Sequence, residues 1–297
     1  MNAYDKITNQ IIEALEQGLI PWKQPWMIKA QMPESIYGKA YRGINAFWLG
    51  FVAWRKGYED NRWLTFGAAK ARGGKVRKGE KSEAVTLWIE TYNHESPCTE
   101  NDRKKKCNKL GRKGKCKKFL LMRYYSVFNV EQCDDLDITP RTIEPVQEFN
   151  PIEEAQQIAD NYLSREAIEL KTGGAAFYTP SEDAITVPKP ERFNSIESYY
   201  TTLFHECGHS TGHEKRLNRK DSKAAIHFGD TKYAKEELAA EMTSAFLSAQ
   251  SGVHSEVEDK QRVAYIQSWL KALRNDKKLV IVAAAQAQKA ADLILNK

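Results

Sequence analysis

The sequence predicts an α+β protein of two domains, and three observations predict it. The 297 residues are enough for each half to bury its own core, at about 150 residues per domain. Charge is unevenly spread: residues 1–125 hold 25 Lys+Arg against 12 Asp+Glu, and residues 126–297 hold 20 against 27. Amphipathic helical periods and short strand-like runs both occur, with no internal repeat. The expected division is a basic domain at 1–130, a linker at 131–151 and a second domain at 152–297.

Composition excludes several classes. Hydrophobic residues make up 41% and charged residues 28%, which fits neither a membrane protein nor a disordered tail. The longest apolar run, Leu279–Ala285, spans seven residues, whereas a membrane helix needs roughly 20. Asp5, Lys6, Glu13 and Glu16 interrupt the first helix, so a cytoplasmic protein without a signal peptide is expected. The odd count of five cysteines argues for reduced thiols. Cys98, Cys107 and Cys116 lack the close pair from which zinc knuckles start, so they are not read as a metal site.

Ile7, Ile11, Ile12 and Leu15 share one face of a helix over 2–18, which Gly18 closes. Pro21-Trp22-Lys23-Gln24-Pro25-Trp26 reads as a stiff aromatic loop. An aromatic-rich helix over 44–57 follows, then strands at Trp63–Phe66, Val85–Glu90 and Arg123–Asn129. The polar, basic stretch 93–118 reads as a long loop. Residues 131–151, acidic and Pro-bearing, read as the linker. Beyond it come a helix at 151–166, strands at Ala175–Tyr178 and Ala184–Val187, and a helix from Asn194 or Ser195 through His209. Further helices are expected at 234–250, 256–274 and 278–295.

His205-Glu206-Cys207-Gly208-His209 carries the strongest chemistry. Positions i and i+4 of a helix share a face, so both imidazoles can reach one divalent cation. Glu206 beside them can deprotonate an attacking water. A catalytic zinc needs a third protein ligand. Glu237 and Glu241, again i and i+4, supply two candidates: one to ligate and one to orient a ligand histidine. Glu236 is placed elsewhere on that helix. His213 follows Gly212, which breaks the helix, so it reads as structural or supporting. Cys207 reads as a core thiol. Tyr233 and His227 are of a type that can stabilise an oxyanion.

The basic half interleaves aromatic and cationic residues, as single-strand binding requires. Trp22, Lys23, Trp26, Tyr41 and Arg42 form one group; Lys75, Arg77, Lys78 and Lys81, around a Gly-rich turn, form another. Trp48, Trp63 and Trp88 read as core.

These strings resemble a known family. Pro21-Trp22 to Trp26, Tyr41-Arg42-Gly43-Ile44-Asn45, Trp63 to Phe66 and Val76 to Lys81 resemble the N-terminal domain of the ArdC antirestriction family. Related domains occur in primases of conjugative plasmids. Phe204 to His213, Tyr233 to Glu241 and Tyr265 to Leu270 resemble its zincin-like metallopeptidase domain. The resemblance covers nearly the whole chain, but not 93–118, so the role of Cys98, Cys107 and Cys116 stays open. It implies an N-terminal domain for single-stranded DNA, with double-stranded DNA bound more weakly, and a C-terminal gluzincin-like fold. It favours Glu237 as ligand and Glu241 as the residue behind a ligand. Zinc is the ion expected of two histidines and a glutamate, with Mn2+ also compatible. The implied role is protection of plasmid DNA from restriction during conjugation in the cytoplasm of a bacterial recipient. The DNA would be shielded, or the restriction enzyme acted upon. A protease cutting a host defence or DNA-bound protein is the other reading. No membrane partner is implied.

Overall fold

Periodicity sets the first elements. Helix α1 (Ala3–Glu16) buries Ile7, Ile11 and Leu15 along one stripe, and Gly18 turns the chain at φ 78°, a left-handed conformation that glycine adopts without steric cost. Helix α2 (Ile44–Lys56) is buried from Ala46 through Ala53, as a helix apolar on all sides must be. The computed structural model describes residues 3–23, 32–94, 116–139, 150–219, 231–253 and 259–297.

Six strands and a short helix complete the N-terminal domain. They are β1 (Glu34–Ser35), β2 (Arg62–Leu64), α3 (Phe66–Ala71), β3 (Lys75–Val76), β4 (Glu83–His94), β5 (Cys116–Asn129) and β6 (Cys133–Asp134). The main sheet has the order β1-β2-β5-β4, and β3 pairs separately with β6. Two expectations are corrected here. The strands at 85–90 and 123–129 are longer than their apolar cores, because ladder pairing continues out to His94↔Cys116. Residues 93, 94 and 116–118, expected in the basic loop, are therefore strand, and residues 95–115 lie outside the described residues. The linker also begins later than expected: Cys133 and Asp134 pair with Val76 and Lys75, and Leu136 lies over Gly74. Residues 140–149 are outside the described set.

The C-terminal domain comprises α4 (Pro151–Glu166), β7 (Glu169–Thr172), β8 (Phe177–Thr179), β9 (Ala184–Val187), α5 (Ile196–Ser210), α6 (Thr231–Ser251), α7 (Asp259–Asn275) and α8 (Leu279–Ile294). Strand β9 is central, parallel to β7 and antiparallel to β8. All four of its residues are buried. Strand β7 was not anticipated: Glu-Leu-Lys-Thr on an edge has too little apolar signal. Helix α6 is the hub, flanked by α5 and α8. Among the described residues, no helix is long and apolar enough to cross a membrane.

One buried cluster runs from Ile7 of α1 to Ile294 of α8, so the two domains share an interface rather than a tether. Trp22 stands edge-on to Trp269 with centroids 5.2 Å apart, and Phe47 of α2 meets Phe246 of α6 at 4.3 Å. Thr8 donates to the Lys277 carbonyl at 2.6 Å, the Gly43 amide donates to Gln288 at 3.0 Å, and Arg42 pairs with Asp292. Trp22, expected as a stacking platform, is only 1% exposed, because the other domain covers it. Truncating such a ring removes both its transfer free energy and the packing around it. Trp22→Ala is expected to cost about 3–5 kcal/mol in equilibrium denaturant unfolding; an unchanged midpoint would contradict this interface.

Candidate metal centre

Helix α5 starts at Ser195, whose hydroxyl accepts from the Ser198 amide at 3.2 Å. Its second half packs Leu203, Phe204 and Cys207 inward. Gly208, between the two histidines, lets α6 come close: a Cβ there would lie 3.1 Å from the Ala240 Cα and 3.2 Å from the Thr243 Cβ. A larger side chain would drive the helices apart. This crossing delivers the glutamates of α6 to the histidines of α5.

His205 Nε2 and His209 Nε2 are 3.0 Å apart. The Glu237 carboxylate lies 3.6 Å from the first and 3.3 Å from the second. A tetrahedral ion with bonds of about 2.0–2.2 Å spaces its donors by about 3.3–3.6 Å; the two sides to Glu237 match this, the side between the imidazoles is shorter, and the three donors are close enough to share one divalent cation. This triangle is the one group of potential metal donors found among the described residues. The ring nitrogens facing away meet carboxylates: His209 Nδ1 is 3.5 Å from Glu236 and His205 Nδ1 is 4.0 Å from Glu241. The Glu236 contact favours the His209 tautomer that leaves Nε2 free to ligate, and Glu241 acts on His205 through its charge.

The outer carboxylates are themselves held. Arg219 grips Glu236 through Nε at 3.0 Å and Nη2 at 2.5 Å. The same guanidinium reaches the Gly208 carbonyl at 2.8 Å and the Thr211 hydroxyl at 2.5 Å. Glu241 is paired with Lys23 of the N-terminal domain at 2.5 Å. Glu236, Arg219 and Lys23 were not read as parts of this centre. Glu236, expected elsewhere on the helix, lies 3.5 Å from His209 Nδ1, because the close crossing at Gly208 brings a wider arc of α6 within reach of α5. The available signal was an acidic residue on the flank of an apolar run; Arg219 gave none.

Electrostatics divides the two histidines. Burial, then neighbouring His209, lowers His205 to about 4. Burial also pulls His209 down, but Glu236 and Glu237 outweigh it and raise it to about 10. Burial raises Glu206 to about 7, against His209 and a hydrogen bond from the Tyr178 backbone. A carboxylate near that value can both take and return a proton at neutral pH.

Other expected residues fall elsewhere. His213 is outside the donor triangle; its Nδ1 accepts from the Lys215 amide at 3.2 Å. Cys207 is a buried core thiol, as expected. His227, Trp26, Cys98 and Cys107 lie outside the described residues, as do the side chains of Tyr233 and Cys116. In the basic half, burial raises the Tyr41 hydroxyl to about 12, and Arg42 is engaged by Asp292. Lys75 pairs with Asp135, and Arg77 with Glu80 and Asp134. Lys78 and Lys81 are exposed. Trp48 and Trp63 are core, but Trp88, expected as core, is 45% exposed, because β4 runs beyond the cover of the domain.

Comparison with known proteins agrees with this layout. Residues 1–128 match the N-terminal domain of anti-restriction factor ArdC, and residues 156–286 match a zincin-like metallopeptidase. The crystal structure of antirestriction ArdC protein from plasmid R388, metal-free, is 34% identical with a TM-score of 0.74 over 100% of this chain and 97% of that one.

The chain belongs to the ArdC antirestriction family.

A Mn(II)-bound structure of the same R388 protein gives 35% identity and a TM-score of 0.73, covering 100% of this chain and 98% of that one. The uncharacterized protein y4eC of Sinorhizobium fredii is 33% identical over 97% of this chain and 90% of its own length. A DNA primase TraC of Escherichia coli is 36% identical over 98% of this chain. The chain spans only 20% of that primase. The family thus has a zincin-like domain whose donors here suit a divalent metal.

Glu236 and Glu237 raise His209 despite its burial, so a cation binding at Nε2 competes with a proton. Affinity therefore rises with pH, by about tenfold per unit for one released proton. Titration calorimetry with Mn2+ between pH 6 and 8 should show this slope; a flat or falling profile would contradict it. Glu236→Gln is expected to weaken metal binding about 10- to 100-fold.

Proposed function

We propose that this chain binds single-stranded DNA through its N-terminal domain and protects DNA entering a bacterial cytoplasm by conjugation from restriction. Its second domain holds one divalent ion, with zinc as the expected species. The observation that carries the reading is the donor triangle of His205, His209 and Glu237 in a member of an antirestriction family. Residues 1–125, with 25 Lys+Arg against 12 Asp+Glu, support a polyanionic partner. Double-stranded DNA would bind more weakly, since its bases are not available for stacking.

In the second domain, His205, His209 and Glu237 would hold the ion, with Glu236 and Glu241 orienting the imidazoles. When bound, the ion supplies Lewis acidity that polarises a peptide carbonyl. Glu206 would accept the proton of an attacking water and return it to the leaving amine. Strand β8 lies at one edge of its sheet, and its Tyr178 backbone bonds to Glu206. An extended peptide can add to such an edge through main-chain hydrogen bonds. That placement favours a second reading, in which a host defence protein, such as a restriction enzyme, or a DNA-bound protein is cut.

The two readings separate in a transfer assay into restricting cells. Shielding by DNA binding predicts that Glu206→Ala protects as well as the unaltered chain. Loss of protection in a folded, metal-loaded Glu206→Ala protein would establish the peptidase reading instead. Binding to oligothymidylate should weaken with salt, with a log–log slope of about −0.7 per phosphate contact. The absence of binding at low salt would reject the DNA reading.

A further inference from the structure

Trp88 and Tyr124 are large aromatic residues that the core does not use, 45% and 42% exposed. They stand on one face of the β4–β5 ribbon, since Trp88 pairs with Met122 and Tyr124 with Thr86. Directly paired residues share a face, and the two rings are two residues apart along the ribbon, about 6.6–6.8 Å. Helix α1 extends the same surface. Tyr4 meets Trp88 edge-on at 6.4 Å, and Lys6 Nζ sits 5.0 Å from the Tyr124 centroid. From the start of α8, Lys278 Nζ sits 5.5 Å from the Tyr4 centroid. Three neighbouring rings are therefore flanked by two ammonium groups on one surface.

An apolar partner would match the rings but strand the lysines. A duplex would match the lysines but offer the rings no base faces. A single strand satisfies both, with bases on the rings and phosphates on the ammonium groups. The net charge of the N-terminal half agrees: residues 1–125 hold 25 Lys+Arg against 12 Asp+Glu.

We propose that Tyr4, Trp88 and Tyr124, with Lys6 and Lys278, form the base-stacking platform for single-stranded DNA. This deepens the proposed function and rests on it. It relocates the stacking contacts from the Trp22 segment, where the ring is buried, to the ribbon. Lys278 belongs to the C-terminal domain, so the platform exists only when the two domains are docked.

The test is fluorescence anisotropy of labelled oligothymidylate against the full chain at low salt. Trp88→Ala and Tyr124→Ala are each expected to weaken binding about 5- to 100-fold, while Trp88→Phe, which keeps a ring, retains most of the affinity. Both aromatic side chains are substantially solvent-exposed, and unchanged thermal melting of the variants checks that they are folded. If the unaltered chain binds and the alanine variants bind equally well, the platform is overturned while the DNA reading stands. If the unaltered chain does not bind, both fall. Tighter binding of oligouridylate than of oligothymidylate would overturn DNA as the occupant.

Discussion

The structure depends on burying four carboxylates around two imidazoles where α5 crosses α6. Glu206, Glu236 and Glu241 are buried, and Glu237 is partly covered beside them. Isolated carboxylates are costly in such a place, and pairing is what makes them tolerable. Lys23 and Arg219 supply two positive charges, which leaves a formal balance of two negative charges with both histidines neutral. A divalent cation in the triangle brings that balance to zero. The same carboxylates act unequally on the imidazoles: Glu236 and Glu237 raise His209 despite its burial, while burial and then His209 lower His205.

The same constraint explains how the domains fit. Lys23 belongs to a turn whose preceding residue, Trp22, is anchored against Trp269. The anchor therefore positions a cation from the basic domain against a carboxylate of the acidic one. The interface has a job in the metal centre as well as in stability. It also assembles the aromatic surface, because α1 lies on the ribbon and Lys278, at the start of α8, reaches the Tyr4 ring of α1. The candidate metal centre and this aromatic surface thus share the docking of the two domains as a common support, although they lie on different elements.

Legibility in the sequence followed the range of the interactions. His205, Glu206 and His209 are read from local helical spacing, and the helices themselves from apolar periodicity. Glu237 is distinguished from Glu241 by resemblance to the family rather than by spacing. Glu236 and Arg219 depend on a helix crossing set by Gly208 and Ala240, which no local pattern encodes. Trp22 and Trp88 show the same limit from opposite sides. A Trp between a proline and a lysine in a loop reads as exposed, yet the other domain buries it. A Trp in an apolar strand reads as core, yet the ribbon extends past anything that would cover it. Local sequence reports what a side chain prefers, and the packing of distant elements decides what it gets.

The central claim is that His205, His209 and Glu237 form a single divalent-cation site oriented by Glu236 and Glu241. Anomalous scattering from crystals of the full chain soaked with Mn2+ tests it most directly. The account predicts one dominant peak in contact with Nε2 of both histidines and the Glu237 carboxylate, with Glu236 and Glu241 on the far ring nitrogens. A peak ligated by Glu236 or Glu241 in place of Glu237, a peak at His213, or none at this crossing would contradict it.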